Sequence, residues 1–184
     1  EYFFDVSNGT IYYIPRSGED MATADVYYPT LNTLIKGEGT GPKDRLENIT
    51  IKNVAIEYAS STPTLNGGRA WDNVKGQTQR GLFAAVDFIH ACNIRLDGLF
   101  IKNIDGYGVD LGDSVWDSSI ENSILGDLGG GGIRAGKNKS NNFNPQTLRE
   151  DGVSSGYIKV SNNIVFQYGR INRSAVGIIF FDIG

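Results

Sequence analysis

The 184-residue sequence is poor in the residues that build disulfides, metal sites and long helices. It contains one cysteine, one methionine, one histidine and five prolines. Cys92 has no partner for an internal disulfide, and its position inside an apolar run indicates a buried, inert thiol rather than a nucleophile. With His90 as the only histidine, a metal site of several imidazoles and a Ser-His-Asp triad are both hard to assemble.

Two further absences limit the possible partners. The net charge is −4 and the pI is near 5.0, so the chain lacks the basic surplus that would neutralise a nucleic-acid backbone. No apolar run approaches the roughly 18 residues that span a bilayer. The sequence starts without Met or a signal peptide and ends on the apolar stretch SAVGIIFFDIG, so we expect an internal piece with further strands beyond its end. We predict no nucleic-acid partner and no membrane span, and we expect a monomer.

The residues that are abundant are typical of a strand-and-turn protein. Twenty-four glycines accompany many Asn, Ile, Val and Tyr residues, and 40% of the chain is hydrophobic. This composition predicts one all-β domain with a substantial core. Residues 1–45 are predicted to form an N-terminal β-hairpin, with its turn at Ser7, Asn8 and Gly9, followed by lead-in strands.

From residue 46 to residue 184 the pattern repeats. Segments starting at Ile49, Ile94, Ser118 and Ile158 align without gaps and place apolar residues in shared columns. The spacing of 24 residues between the second and third segments is about one coil of a solenoid, and the spacings of 45 and 40 predict coils with inserted loops. The apolar columns are Ile51, Leu96, Ile120 and Val160; Ala55, Phe100, Ile124 and Ile164; and Ile56, Ile101, Leu125 and Val165.

Polar residues form columns as well. Asn side chains stacked at a turn can bond along the solenoid axis at the ~4.8 Å strand spacing, and Asn or Gly tolerates the left-handed backbone of a corner. No repeat has room for a helix of 10 to 12 residues, so the pattern predicts a parallel β-helix. The two polar columns are Asn53, Gly98, Asn122 and Asn162, and Asn48, Asn93 and Asp117.

The stretch ILGDLGGGGIRAG, followed by KNKS, raises the alternative of a phosphate-binding loop. Gly131 to Lys137 match G-x-x-x-x-G-K, but Asn138 stands where Ser or Thr would bind magnesium, and NKSNNFNPQT cannot begin a helix. The same stretch aligns with IDGYGVDLG 24 residues earlier, glycine on glycine. We therefore predict a corner of the repeat.

The strings HACNIRLDGLFIKNIDGYGVDLGDSVWDSSIENSILGDLGGGGIRAG, FFDVSNGTIYYIPRSGE and QYGRINRSAVGI resemble right-handed parallel β-helix carbohydrate-active proteins. The resemblance is nearest to glycoside hydrolase family 141-like enzymes, which include fucosidases and xylanases. It implies a pectate-lyase-like solenoid, secreted or periplasmic in a bacterium, that acts on plant or host glycans with a pair of carboxylates and no organic cofactor.

Asp110 is the first candidate for a catalytic carboxylate. It alternates with Val109 and Leu111, so its side chain should point away from the core, and residues of one column in neighbouring coils lie ~4.8 Å apart. Arg134 falls in the same column one coil later, where it would keep Asp110 ionised or bind substrate; the alternative is a purely structural ion pair.

For each of the other candidate catalytic or sugar-binding residues, a purely structural role is an alternative. Asp113 or Asp127 could be the second carboxylate, or each could only shape a turn. Tyr107 and Trp71 could stack on sugar rings, although packing explains Tyr107 equally well, and His90 could contact substrate or be a structural histidine.

We predict a glycoside hydrolase that acts on an oligo- or polysaccharide. One alternative is a polysaccharide lyase or uronate epimerase, which would need calcium or a basic residue beside the acidic face. Another is a non-catalytic glycan-binding β-helix.

Overall fold

A computed structural model describes residues 2–5, 7–60, 82–136, 154–181 and 183. Within these ranges the chain forms strands and turns and contains no helix, which confirms the all-β prediction. The predicted hairpin is also confirmed: β1 (Tyr2–Asp5) pairs antiparallel with β2 (Thr10–Tyr13). The Asp5 carboxylate accepts hydrogen bonds from Ser7 and Asn8 and so stabilises the turn.

The remaining strands form four parallel sheets. Sheet I contains β3 (Ile35–Glu38), β7 (Ala84–Ile89), β11 (Tyr107–Leu111), β15 (Ile133–Ala135) and β18 (Ile178–Phe180). Sheet II contains β4 (Leu46–Glu47), β8 (Ala91–Cys92) and β12 (Val115–Trp116). Sheet III contains β5 (Thr50–Lys52), β9 (Arg95–Asp97), β13 (Ser119–Glu121) and β16 (Lys159–Ser161). Sheet IV contains β6 (Ala55–Ala59), β10 (Phe100–Ile104), β14 (Ile124–Leu128) and β17 (Ile164–Val165).

The chain passes through sheets I, II, III and IV in that order and then returns to sheet I beside its earlier strand. Each pass is one coil, and the stacking of coils is consistent with the predicted parallel β-helix. In the fourth coil sheet II is represented by a single bridge between Trp116 and Gly156. Strand β3 lies in the predicted lead-in segment, yet it pairs in parallel with β7, so the stacked sheets already begin at Ile35. The division of the chain at residue 45 stays a prediction.

The predicted apolar columns are confirmed residue by residue. In sheet III, Leu96 pairs with Ile51 and Ile120, and Ile120 pairs with Val160. Sheet IV aligns the other two columns as predicted. The column that contains Ile101 faces the core, and the column that contains Phe100 faces outward. Ile101 is fully buried, for example, whereas Phe100 is exposed. The alternation follows from the two-residue period of a strand and places the core inside the coils.

The predicted polar columns occupy the corners of the coils. Their non-glycine members all have left-handed backbones, with φ between 48° and 62°. Asn93 Nδ2 donates to Asn48 Oδ1 (2.6 Å), and Asn162 Nδ2 donates to Asn122 Oδ1 (2.6 Å). These bonds run from coil to coil, so the Asn side chains hold the stack together along its axis.

The glycine-rich stretch is a corner, as predicted. The Gly130 N–H donates to the Gly106 carbonyl oxygen of the preceding coil at 2.9 Å, and a Cβ on Gly130 would lie 2.7 Å from that oxygen. Because no side chain fits in this space, the glycines allow one coil to turn directly against the next. The long inserted loop that contains Trp71 lies outside the described residues apart from its first residue, Ser60, and the loop that begins at Lys137 lies wholly outside them.

Candidate carboxylate site on sheet I

One column of sheet I carries charged residues in four successive coils. Parallel pairing aligns Lys36 with Asp87, Asp87 with Asp110, and Asp110 with Arg134. Val109 and Leu111, on either side of Asp110, are fully buried in the core, so Asp110 lies on the opposite, outer face of the strand. The charged column therefore lines the outside of the sheet.

Arg134 and Asp110 form an ion pair with little contact to solvent. Nε and Nη2 of Arg134 donate to Asp110 Oδ2 at 2.9 and 2.5 Å, and the two side chains are 12% and 13% exposed. Burial disfavours the guanidinium charge, but the charge and hydrogen bonds of Asp110 outweigh burial, so the pKa of Arg134 rises above its usual value. The predicted register of these two residues is confirmed.

The environment of Arg134 fixes its orientation. Nη2 also donates to the Leu82 carbonyl oxygen at 3.1 Å, and the guanidinium carbon lies 4.7 Å from the centroid of the Tyr107 ring. A guanidinium that lies over an aromatic ring and donates hydrogen bonds from its nitrogens has few alternative rotamers. Tyr107 is fully buried, and this burial raises the pKa of its hydroxyl. Its position indicates packing beneath Arg134.

Asp87 is the carboxylate that directly faces Asp110 in the preceding coil. Its pKa is raised from 3.8 to about 6: burial is the largest cause, the charge of Asp110 acts in the same direction, and Arg134 and Lys36 offset part of the rise. Its Oδ1 atom is buried and accepts no hydrogen bond. A carboxyl group in these surroundings retains its proton far more readily than an exposed aspartate does.

The sequence analysis missed Asp87, although the sequence contains the signal. AAVDFI at residues 84–89 aligns with YGVDLG at residues 107–112, and both place Asp after Val and before a large apolar residue. The column of sheet I was extended from Asp110 forward to Arg134 but not back to residue 87, because the insertion before β7 hides the repeat there.

Asp113 and His90 lie in the turns that follow the strands of sheet I. The His90 N–H donates to the Asp113 carbonyl oxygen at 2.7 Å, which links the two turns in neighbouring coils. His90 has a left-handed backbone, with φ of 48°, and its buried Nδ1 has no hydrogen-bond partner.

Asp127 lies elsewhere, near the end of β14 in sheet IV. It shares a corner column with Asn103 and Gln167, and all three have left-handed backbones. Its carboxylate pairs with Arg170 rather than with the charged column of sheet I. The catalytic roles predicted for Asp113 and Asp127 stay predictions.

In the described part of the chain, no group of three or more His, Cys, Asp or Glu side chains is arranged to hold a metal ion. The described residues also include no helix long and apolar enough to cross a membrane.

The comparisons with known proteins give one similarity of fold. No family model matches the sequence, and no curated protein matches it. A solved structure of a glycoside hydrolase superimposes with a TM-score of 0.78 at 18% sequence identity, over 97% of this chain. The superposition covers 35% of the length of that structure, so this chain corresponds to about a third of it. At this identity the similarity establishes the fold that the two chains share.

Proposed function

We propose that the protein is a right-handed parallel β-helix glycoside hydrolase whose catalytic carboxylates are Asp87 and Asp110. The observation that carries the proposal is the contrast between two adjacent carboxyl groups. The ion pair with Arg134 favours the charged form of Asp110, whereas burial, together with the charge of Asp110, raises the pKa of Asp87 to about 6. A protonated acid beside an ionised carboxylate is the combination that glycoside hydrolysis requires. The fold shared with a glycoside hydrolase supports the proposal.

Each carboxyl group has a defined role in this proposal. Asp87 donates its proton to the glycosidic oxygen as the bond from that oxygen to the anomeric carbon breaks. Asp110 attacks the anomeric carbon, and water then hydrolyses the glycosyl ester with Asp87 acting as base. Adjacent strands lie ~4.8 Å apart, which is closer to the carboxyl separation of about 5 to 5.5 Å in retaining enzymes than to that in inverting enzymes.

Asp87→Asn and Asp110→Asn in the full-length protein test these roles. Each variant is expected to lose at least about a hundredfold in the release of reducing sugar from xylan or fucosylated glycans, because neither amide can donate a proton or act as a nucleophile. Asp97→Asn is the matched control, since Asp97 lies on sheet III in an ion pair with Lys52. Undiminished hydrolysis by both column variants would refute the proposal. Binding of glycans without turnover by the unaltered protein would favour the non-catalytic alternative.

The pH dependence provides a second test. Because Asp87 must be protonated to act as the acid, the rate of glycan hydrolysis is expected to fall as the pH rises through about 6. The same fall should be absent for substrates with a leaving group that needs no proton, such as an aryl glycoside with a strongly acidic phenol. A rate that stays constant to pH 9 or so on natural glycans would contradict the role of Asp87.

A polysaccharide lyase or uronate epimerase is the second candidate, because basic residues flank the acidic pair. Lys36 is aligned with Asp87, and Arg134 bonds to Asp110, so the basic residue that such chemistry needs is present. A lyase would release unsaturated uronates, which absorb in the ultraviolet, whereas a hydrolase would not. We also propose that the protein is a secreted or periplasmic monomer that needs no organic cofactor.

A further inference from the structure

A cleft of about 700 Å³ lies between the N-terminal segment and the corner that joins sheets IV and I. Its volume is within the usual range for small-ligand sites. Residues of the hairpin and of the following segment form one wall, and Asn103 to Asp105, Asp127 and Gly129 form part of the other. None of Asp87, Asp110 and Arg134 lines this cleft.

Five of the described tyrosines line the cleft: Tyr2, Tyr13, Tyr27, Tyr28 and Tyr58. Tyr27 stacks on Tyr58 with the ring centroids 4.8 Å apart and the planes inclined by 11°, so a ring of the N-terminal wall lies flat on a ring of sheet IV. Tyr27 nevertheless remains 64% exposed, and Tyr28 beside it is 52% exposed. Exposed tyrosine rings in a concave site offer an apolar face and a hydroxyl to the same ligand, as a sugar requires.

Tyr58 occupies a position that its residue type does not favour. It begins a corner column that continues with Asn103, Asp127 and Gln167, and its φ of 62° is left-handed like theirs. Asn and Asp tolerate this conformation, whereas a bulky side chain there is strained. A strained aromatic residue aimed into a cleft points to a role that outweighs its local cost.

The charges of the lining distinguish among sugars. The acidic residues are Glu19, Asp25, Asp105 and Asp127, and the basic residue of the lining is Arg170, which pairs with Asp127. A hydrogen bond from the Tyr13 hydroxyl lowers the pKa of Glu19, so that carboxylate stays charged at neutral pH. Such a site repels uronates and phosphates, while its carboxylates can accept hydrogen bonds from neutral hydroxyls.

We propose that this cleft is a binding site for a neutral oligosaccharide, separate from the carboxylate pair of sheet I. The sugar ring stacks on the open face of Tyr27, which Tyr58 supports on the other face, and its hydroxyl groups donate to the acidic residues. The cleft would hold a glycan chain on the protein whether or not hydrolysis takes place at Asp110, so the two proposals can fail independently.

Isothermal titration calorimetry on the full-length protein tests the site. The background is Asp87→Asn, which prevents turnover of the ligand, and the probes are neutral xylohexaose, cellohexaose and mannohexaose, with hexagalacturonate as the acidic probe. Tyr58→Asn introduces the residue type that the next coil has at this corner, so it removes the ring while relieving the strained backbone. Tyr157→Asn is the matched control, because Tyr157 also has a left-handed backbone, with φ of 51°, but does not line the cleft.

We expect at least one neutral probe to bind, and Tyr58→Asn and Tyr27→Ala each to raise its Kd about tenfold or more, with Tyr157→Asn unchanged. Hexagalacturonate should bind at least about tenfold more weakly than the neutral probe. Unchanged affinity in both cleft variants would overturn the proposal. Tighter binding of hexagalacturonate, or no binding of any neutral probe, would also overturn it.

Discussion

Asp87→Asn is expected to stabilise the protein at neutral pH, even though it removes a proposed catalytic group. In the fold, burial and the charge of Asp110 raise the pKa of Asp87 to about 6, compared with an ordinary value of 3.8. A carboxyl group whose pKa is higher in the folded state binds its proton more tightly there than in the unfolded chain. Its contribution to stability is therefore fully present below about pH 3.8 and is lost as the pH rises through about 6.

The size of the effect follows from the difference between the two pKa values. About two pKa units, at ~1.4 kcal/mol for each, correspond to ~3 kcal/mol of folding free energy lost between low and high pH. The asparagine side chain has nearly the same shape and never ionises. The variant should match the unaltered protein near pH 4 and exceed its stability by up to ~3 kcal/mol near pH 8.

Urea unfolding between about pH 2 and pH 8 measures this difference directly. Asp97→Asn is a control with the opposite sign, because hydrogen bonds from Asn122 and Lys52 lower the pKa of Asp97. That variant should lose stability at neutral pH, and the loss should fade as the pH falls below 3.8. A difference for Asp87→Asn that does not change with pH, or a variant less stable near pH 8, would refute the account of the buried carboxyl group.

Four further substitutions at three positions test the ion pair, the core and the corners of the coils. Arg134→Met should cost ~3 to 5 kcal/mol in urea unfolding, since it leaves Asp110 buried without its guanidinium; a cost below ~1 kcal/mol would contradict a buried pair. Ile120→Ala removes a fully buried side chain and should cost ~2 to 5 kcal/mol, measured in the same way. Asn122→Gly and Asn122→Ala both lose the hydrogen bonds to Asp97 and Asn162, but only glycine adopts the left-handed backbone of this corner without strain. Asn122→Ala should therefore be less stable than Asn122→Gly by ~1 kcal/mol in thermal unfolding.

The repeat could be predicted from the sequence because strand patterns are local. Alternation of apolar and polar residues fixed the columns of Ile120 and Ile101, and the residue types of Asn93 and Asn122 identified the corners. The pairing of Asp110 with Arg134 followed from the same 24-residue spacing. These predictions needed only the period of a strand and the conformational preference of Asn.

The candidate site could be predicted only in part. Asp110 and Arg134 were found, but the second carboxylate was sought at Asp113, which closes the turn after Asp110, and at Asp127, which lies in the corner column of Asn103 and Gln167. Asp127 pairs with Arg170 near sheet IV, and Asp87 is the residue that lies beside Asp110. The insertion that separates the first two coils obscured where the column of sheet I begins.

The sequence by itself determined the all-β class, the stacking registers of sheets III and IV, and the close turn at the glycines. Each of these follows from the properties of single residues or of neighbours along a strand. The tertiary structure decided the properties that depend on distant groups. The raised pKa of Asp87 needs the charge of Asp110 and burial by surrounding coils, and the tyrosine cleft needs the N-terminal segment folded against sheet IV. Ionisation and concavity arise from residues that only the fold brings together.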